Sequence, residues 1–145
     1  MIFAATNKRG GLNALLNYGY TVLRAATARA VVAAGLHPTL GLHHSNAGNA
    51  MRLVDDLMEP FRPVMDLKVW QLHRQGEGEV TPESKRALVR TLYDDMQTSA
   101  GATPVMVCVQ KLATSLAQVF MGEKDQLDLP LPGLPLSLAA SLQDD

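Results

Sequence analysis

Residues 13–34 of the chain read NALLNYGYTVLRAATARAVVAA. The apolar side chains of this stretch recur mostly every three or four positions, at Leu15, Leu16, Val22, Leu23, Ala26, Ala30 and Val31. That spacing is typical of a helix with one face against a core. Gly35 follows directly, where a glycine commonly ends a helix. The stretch therefore predicts a long first helix.

The rest of the chain also shows helical spacing rather than strand alternation. Two Thr-Pro pairs, Thr81-Pro82 and Thr103-Pro104, are typical helix starts with a threonine cap and a proline in the first turn. No hairpin signal is evident. We therefore expect an all-α fold with about five helices, near 13–34, 46–59, 61–75, 81–97 and 103–121.

The chain divides into three parts. Residues 1–11 are interpreted as an irregular lead-in, 12–122 as one helical domain, and 123–145 as a tail rich in Leu and Pro. Proline blocks regular helix. The tail is expected either to be flexible or to dock in an extended form on a partner.

Composition narrows the class of protein. The chain has 145 residues, 47% of them hydrophobic and 19% charged, as in a one-domain globular protein. A single cysteine, Cys108, excludes an internal disulfide, and the simplest interpretation is a cytoplasmic protein. No apolar run approaches the roughly 20 residues that span a bilayer, so no membrane partner is expected.

Charge is unevenly distributed. Residues 1–122 hold 12 Lys and Arg against 9 Asp and Glu, whereas 123–145 hold one Lys against five acids. The small positive excess of the first part is compatible with nucleic-acid binding but is weak evidence for it.

The densest chemical pattern is His44 followed by three acids, Asp55, Asp56 and Glu59. Carboxylates suit Mg²⁺ and Mn²⁺, and an imidazole nitrogen shifts the preference towards Mn²⁺. Asp55 and Asp56 both share a helix face with Glu59, so spacing leaves the choice between them open. The alternative is a solvated acidic face whose charge is balanced by Arg52 and Arg62.

Basic and aromatic residues accompany one another on the first helix. Arg24 and Arg29 lie near Tyr18 and Tyr20, and such groups contact phosphates or stack on bases. The alternative is ordinary surface charge beside core aromatics.

Several strings together resemble a known family. They are Leu16-Asn17-Tyr18-Gly19-Tyr20, Gly35-Leu36-His37-Pro38, Gly41-Leu42-His43-His44-Ser45-Asn46 and Asp55-Asp56-Leu57-Met58-Glu59-Pro60-Phe61-Arg62-Pro63. Over about residues 12–120 the chain resembles the C-terminal helical domain of the CRISPR-associated endonuclease and integrase Cas1, in the variant found beside Cas9.

The resemblance implies a function and a site. It implies a divalent ion, Mg²⁺ or Mn²⁺, held by His44, Asp56 and Glu59, with His44 and Glu59 catalytic. The implied reaction is transesterification in which a prespacer 3′-hydroxyl attacks a phosphodiester of the CRISPR repeat. The DNA-binding candidates are Arg24, Arg29, Arg52 and Arg62, and the implied partners are DNA, Cas2 and further copies of the chain.

The chain also departs from that family. The first metal ligand of the family is a glutamate upstream of Leu16, but no acid precedes Asp55 here, and the N-terminal β domain is lacking. We therefore expect a fragment that is weak or inactive alone. The alternatives are a non-catalytic helical protein that oligomerises or binds a partner and, less favoured, an unrelated metallohydrolase.

Overall fold

A computed structural model of the chain describes residues 11–38, 51–131 and 133. It contains the helices α1 (Leu12–Ala33), α2 (Arg52–Met58), α3 (Arg62–Arg74), α4 (Pro82–Arg90) and α5 (Val105–Phe120), and the strands β1 (Asp95–Thr98) and β2 (Gly101–Pro104). Short 3₁₀ turns, Glu59–Phe61 and Thr91–Tyr93, lie before α3 and before β1.

Helix α1 is the centre of the described structure, because each of the other four α-helices contacts it. Its buried positions are Leu15, Gly19, Leu23, Thr27, Ala30 and Val31. The long first helix predicted from the sequence is confirmed within one residue at each end. The buried Thr27 hydroxyl donates to the Leu23 carbonyl at 2.8 Å, so it brings no unsatisfied polar group into the core.

The acidic segment forms a helix, a 3₁₀ turn and a second helix in succession. Proline has no backbone N–H to donate, which ends α2 at Met58 and makes Pro60 part of the 3₁₀ turn. Pro63 lies in the first turn of α3, where that missing donor has no cost. Between the two prolines, Phe61 is completely buried and anchors the turn to the core.

Helix α4 begins with the threonine cap expected from the sequence. Thr81 Oγ1 accepts from Ser84 N at 3.1 Å, and Ser84 Oγ accepts from Thr81 N at 2.8 Å, which completes a reciprocal capping box.

The prediction of an all-α fold is wrong at one place. Residues predicted as the end of the fourth helix form instead an antiparallel hairpin, with Thr98 paired to Gly101 across its turn. Gly101 has φ of +100°, a conformation that other residues rarely adopt. The Thr98 hydroxyl donates to the Gly101 carbonyl at 2.9 Å and accepts from Ala100 N at 3.1 Å. Local turn chemistry therefore ends the helical pattern.

The hairpin also changes the helix bounds and the helix count. Thr103 pairs with Met96 in the sheet instead of capping α5, which begins one residue after Pro104. The described residues hold four helices of nine or more residues, and α2 is a single helix of seven. The predicted count of about five helices therefore differs from the four longer helices of the structure.

The first part of the tail packs against its own chain. Asp128 N donates to the buried Ser115 Oγ of α5 at 2.8 Å, and Leu131 N donates to the Gln97 carbonyl of β1 at 3.1 Å. Lys124 and Asp128 form an ion pair at 2.8 Å. Residues 124–131 thus follow α5 back towards its N-terminal end. The rest of the tail, apart from residue 133, and the lead-in 1–10 lie outside the described residues.

Within the described part of the chain, no helix has both the length and the apolar character needed to cross a bilayer.

Gly19 lets α3 and α4 approach α1 closely, and this gives a first prediction. A Cβ at this position would lie 3.4 Å from Met65 Sδ and 3.6 Å from Leu88 Cδ2. Alanine therefore fits, and its better helix propensity can raise the unfolding free energy by up to about 1 kcal/mol. The leucine side chain of Gly19→Leu is too large for the space between Gly19, Met65 and Leu88. This substitution is therefore expected to lower the unfolding free energy by about 1–3 kcal/mol. Urea unfolding followed by circular dichroism measures both.

The matched control is Asn17→Leu, on the exposed side of the same helix. It is expected to change the unfolding free energy little. Equal losses for Gly19→Leu and Asn17→Leu would show that the close packing at Gly19 does not limit stability.

Candidate functional site

The three acids of the predicted metal site lie where α2 passes into the 3₁₀ turn. Asp55 and Asp56 are partly buried on α2, and Glu59 is the first residue of the turn. The Glu59 side chain is 60% exposed. Since the backbone of Glu59 keeps right-handed helical angles, Asp56 and Glu59 remain about one helical turn apart.

Asp55 is held by α1. Arg24 Nε lies 3.1 Å from Asp55 Oδ1, and Arg24 Nη2 donates to Oδ2 at 3.2 Å. This bidentate pair uses both carboxylate oxygens and ties α2 to α1. Because both side chains are partly exposed, the pair contributes at most about 1 kcal/mol to stability. Its main effect is to orient the two helices at the acidic segment.

Glu59 is paired with Arg62 on the next turn. Arg62 Nε lies 3.3 Å from Glu59 Oε1, which is ion-pair distance, although the buried Nε–H makes no hydrogen bond. The Arg62 guanidinium also stacks over the Tyr20 ring, 5.3 Å from its centroid. The balancing of Glu59 by Arg62 that the sequence suggested is therefore present.

Tyr20 connects the same cluster to α3. Its hydroxyl donates to Asp66 Oδ1, one helical turn beyond Arg62. Burial raises the pKa of Tyr20 from 10.0 to about 12, and the hydrogen bond to Asp66 and the charges of Asp66 and Glu59 act in the same direction. The nearby Arg62 lowers the pKa but does not reverse the shift. Tyr20 is therefore a neutral hydrogen-bond donor at physiological pH.

The predicted DNA-binding arginines do not form one group. Arg24 and Arg62 face the acidic segment from α1 and α3, whereas the exposed Arg29 lies on a different side of α1, beside α5. Arg52 is the partly buried first residue of α2. His44 lies outside the described residues, so its position relative to Asp56 and Glu59 stays a prediction.

Two further cations stack on aromatic rings. Lys85 Nζ lies 5.4 Å from the Tyr18 centroid, and the Arg74 guanidinium lies 4.9 Å from the Trp70 centroid. The sequence analysis linked Tyr18 with the arginines of its own helix, but its cationic partner comes from α4. Exposed pairs of this kind offer charge and a π-face together, which suits contact with a nucleic acid.

The described residues do not by themselves form a metal site. Over residues 11–38 and 51–131, no three side chains of His, Cys, Asp or Glu are grouped closely enough to hold an ion. The donor chemistry of Asp56 and Glu59 nevertheless fits Mg²⁺ or Mn²⁺, which prefer carboxylate oxygens. A metal site that includes Asp56 and Glu59 would therefore need further ligands from outside the described residues.

Most of the described N-terminal half of the chain matches a known protein family. The family model of CRISPR associated protein Cas1 matches residues 4–88, which include all of α1, α2 and α3 and the whole acidic segment. The chain belongs to the Cas1 family. The match begins inside the segment 1–11, which the sequence analysis had not connected with the family.

Individual Cas1 proteins cover most of this chain. The CRISPR-associated endonuclease Cas1 of Neisseria meningitidis serogroup C is 38% identical over 133 residues, which are 90% of this chain and 43% of the relative. A second Cas1 endonuclease, from Pyrobaculum aerophilum, is 33% identical over 76% of this chain and 38% of its own length. The chain therefore spans less than half the length of these curated relatives.

A solved structure has a similar fold. A casposase bound to its integration product superposes with a TM-score of 0.70 at 27% sequence identity, over 81% of this chain and 39% of the casposase. The helical arrangement around α1 is thus shared with a casposase whose structure was determined bound to an integration product.

The link between Tyr20 and Asp66 was not predicted from the sequence. A signal was present, because Glu59, Arg62 and Asp66 alternate in charge at helical spacings of three and four along one face. Nothing in the sequence, however, indicates that α1 crosses this face with Tyr20 towards it.

The raised pKa of Tyr20 predicts a pH-dependent contribution to stability. In the unfolded chain the hydroxyl ionises near pH 10, but in the folded chain only near pH 12. The folded state therefore binds more protons in that window, so this contribution is complete below pH 10 and is lost as the pH rises to 12. Urea unfolding of the natural chain and of Tyr20→Phe is expected to show a stability gap that shrinks above pH 10.

Tyr93→Phe is the control, because Tyr93 is 64% exposed. Its stability relative to the natural chain is expected to be constant over the same pH range. A gap for Tyr20→Phe that is equally constant would contradict the assigned environment of Tyr20.

Proposed function

We propose that this chain is the C-terminal helical part of a metal-dependent DNA endonuclease and integrase of CRISPR adaptation. The observation that carries the proposal is the Cas1 family match, because the matched residues 4–88 include α1 and the acidic segment. The variant found beside Cas9 effectors is the proposed subtype, on the strings quoted above. Its proposed compartment is the cytoplasm.

The proposed metal ligands are His44, Asp56 and Glu59. Asp56 is chosen over Asp55 on the resemblance, and Asp55 is held by Arg24 through both of its oxygens. The exposed Glu59 carboxylate is within reach of an ion from solvent, and Arg62 balances its charge until an ion takes over that role. When bound, Mg²⁺ or Mn²⁺ supplies a Lewis acid that stabilises charge on the phosphoryl oxygens.

The proposed substrates are a prespacer with a free 3′-hydroxyl and the CRISPR repeat. In this reaction the 3′-oxygen forms a bond to phosphorus and the bond to the leaving 3′-oxygen of the repeat strand breaks. His44 is proposed to orient the site or move a proton there, together with Glu59. Arg24, Arg29, Arg52 and Arg62 are proposed phosphate contacts, although Arg24 and Arg62 would share their charge with Asp55 and Glu59.

The chain is proposed to need other parts for full activity. It spans 43% of the Neisseria relative, and no acid precedes Asp55 to serve as the first ligand of the family. That ligand, the β domain and the partner Cas2 are proposed to come from elsewhere in a longer protein or complex.

A second candidate function is non-catalytic oligomerisation. Large apolar side chains are exposed on α1 and at the end of α5, with Val32 at 62%, Phe120 at 51% and Met121 at 65%. Such surfaces favour association with another protein surface. This candidate predicts self-association that neither metal nor DNA alters.

Metal binding tests the proposed site. Calorimetry with Mn²⁺ on the 145-residue chain is expected to show weak, saturable binding, because an incomplete ligand set leaves more positions to water. His44→Ala and Glu59→Gln are each expected to weaken it at least about tenfold, equivalent to roughly 1.4 kcal/mol.

Asp55→Asn is the matched control, as it alters the neighbouring carboxylate that Arg24 holds. Because asparagine keeps an oxygen that can accept a hydrogen bond from Arg24, α2 is expected to stay oriented and Mn²⁺ affinity to stay within about threefold of the natural chain. Loss of binding in Asp55→Asn with retention in Asp56→Asn would reverse the assignment. No saturable binding in any of these proteins would leave oligomerisation as the better-supported function.

DNA strand transfer tests the requirement for other parts. The purified chain alone is expected to give little or no joining of a prespacer 3′-end to a repeat-containing plasmid. Joining should rise on addition of a Cas1 N-terminal half that carries the missing glutamate. Robust Mn²⁺-dependent joining by the chain alone would contradict the proposal that it is incomplete.

A further inference from the structure

A concentration of positive charge lies on α4, outside the acidic segment. Lys85, Arg86 and Arg90 are all exposed within this nine-residue helix, which carries a single acid, Glu83. None of these three cations is among the DNA-binding arginines predicted from the sequence.

Arg86 and Arg90 lie on the outer side of α4. Ser84 and Leu88 form the buried side of this helix, and at 3.6 residues per turn positions 86 and 90 fall on the opposite side. In the described part of the chain, neither guanidinium has an ion pair or a hydrogen bond with another residue. Like charges four residues apart on a helix repel one another and destabilise it. An anion bound from outside the described residues would relieve this repulsion.

Lys85 connects the charge of α4 with the surface of α1. Its Nζ lies 5.4 Å from the centroid of the Tyr18 ring. A cation over an aromatic ring keeps its full charge, since the ring supplies only a quadrupole. Lys85 therefore adds to the positive potential of Arg86 and Arg90.

Arg29 extends the positive surface along α1. It follows Tyr18 by 11 residues, or three helical turns, so the two side chains lie on the same side of α1. Arg29 borders a groove of about 550 Å³ that is also lined by Leu92, just after α4. We call Arg29, Lys85, Arg86 and Arg90 together the basic face.

The basic face and the acidic segment lie on different sides of α1. Tyr20, which binds Asp66 of α3, follows Tyr18 by two residues and is therefore nearly opposite to it on the helix. Arg24, which holds Asp55, is only about 40° from Tyr20 in the same projection. A ligand of the basic face therefore need not contact the acidic segment.

The chemistry of the basic face fits the phosphate backbone of a nucleic acid. Arginine presents a planar fork of N–H donors that matches the oxygens of a phosphate. From Tyr18, beneath Lys85, to Arg29 the face is about 17 Å long at 1.5 Å per residue. Each strand of a double helix carries one phosphate per 3.4 Å of its axis, so about five steps fit this length. A small anion would neutralise only one end of the face.

We propose that the basic face binds the phosphate backbone of a DNA duplex, apart from the acidic segment. This inference rests on the proposed function, which supplies DNA as the partner. It adds a positioning surface on α4, where Arg86 and Arg90 contact phosphates of the duplex without reading its sequence.

The test measures how duplex binding depends on salt. A fluorescent duplex of about 20 base pairs, longer than the basic face at 3.4 Å per step, is titrated with the natural chain and with the double variant Arg86→Gln, Arg90→Gln. Fluorescence anisotropy gives Kd at several NaCl concentrations. The slope of log affinity against log salt is expected to become shallower by about two, because each phosphate contact contributes about 0.9. At about 0.1 M salt, affinity is expected to fall at least about tenfold.

Urea unfolding separates a lost contact from a lost fold. Glutamine has nearly the helix propensity of arginine, and the substitutions remove two charges that repel one another. The double variant is therefore expected to unfold at a urea concentration no lower than that of the natural chain.

The matched control removes two positive charges from other surfaces. Lys111→Gln alters the exposed lysine of α5, and Lys124→Gln alters the lysine that pairs with Asp128 in the tail. At about 0.1 M salt, exposed charges are screened beyond roughly 10 Å. This variant is expected to keep the Kd of the natural chain within about twofold.

Three outcomes would overturn the proposal. They are no duplex binding by the natural chain even at low salt, an unchanged slope and Kd in the Arg86→Gln, Arg90→Gln variant, and an equal loss in the Lys111→Gln, Lys124→Gln variant. The last would show that net charge, and not the basic face, determines binding. Polyglutamate that binds as tightly as the duplex, with the same dependence on Arg86 and Arg90, would assign the face to an acidic protein.

The titrations contain EDTA, so the result does not depend on a bound metal. Failure of Mn²⁺ to bind in calorimetry would contradict the proposed metal site and leave the basic face supported. Duplex binding that is insensitive to Arg86 and Arg90 would contradict the basic face and leave the metal site untouched.

Discussion

The structure depends on α1, because the other helices pack against several sides of it at once. Four other helices contact this one helix, so its surface must match each of them. Gly19 is central to that requirement, because Met65 and Leu88 approach within about 3.5 Å of where its side chain would begin. On the turns beyond it, Leu23, Ala30 and Val31 continue the buried face. A larger residue at position 19 would move α3 and α4 outward together, since both pack on the same point.

The polar side of α1 determines where the acidic segment lies. Tyr20 and Arg24 are one helical turn apart, and they bind Asp66 of α3 and Asp55 of α2. Each contact is partly exposed and contributes little to stability alone. Together they hold α2, the 3₁₀ turn and α3 in a fixed orientation, with Glu59 directed towards solvent. The hydrophobic core therefore stabilises the helices, whereas the charge network orients the part of them that carries the candidate ligands.

Some features of the candidate site could be predicted from the sequence and others could not. The spacing of Asp56 and Glu59 on neighbouring turns, and the pairing of Glu59 with Arg62, follow from helix periodicity alone. The choice between Asp55 and Asp56 does not, because both spacings suit a helix. The resemblance to Cas1 favoured Asp56, and the partner that occupies Asp55, Arg24, lies 31 residues earlier in the chain. Likewise, Tyr20 and Asp66 are 46 residues apart, too far for a local pattern to relate them.

The sequence by itself determined the extent of α1, the cap of α4, the break between α2 and α3 and membership of the Cas1 family. Each of these is recorded in side chains that are neighbours along one helix or in a contiguous string of residues. The tertiary structure alone decided that 95–104 forms a hairpin, that Arg24 of α1 binds Asp55, and that residues 124–131 return along α5. Strands of four largely polar residues carry too little periodicity to be recognised. Contacts between distant segments depend on how helices cross, which is determined by the packing of the whole core.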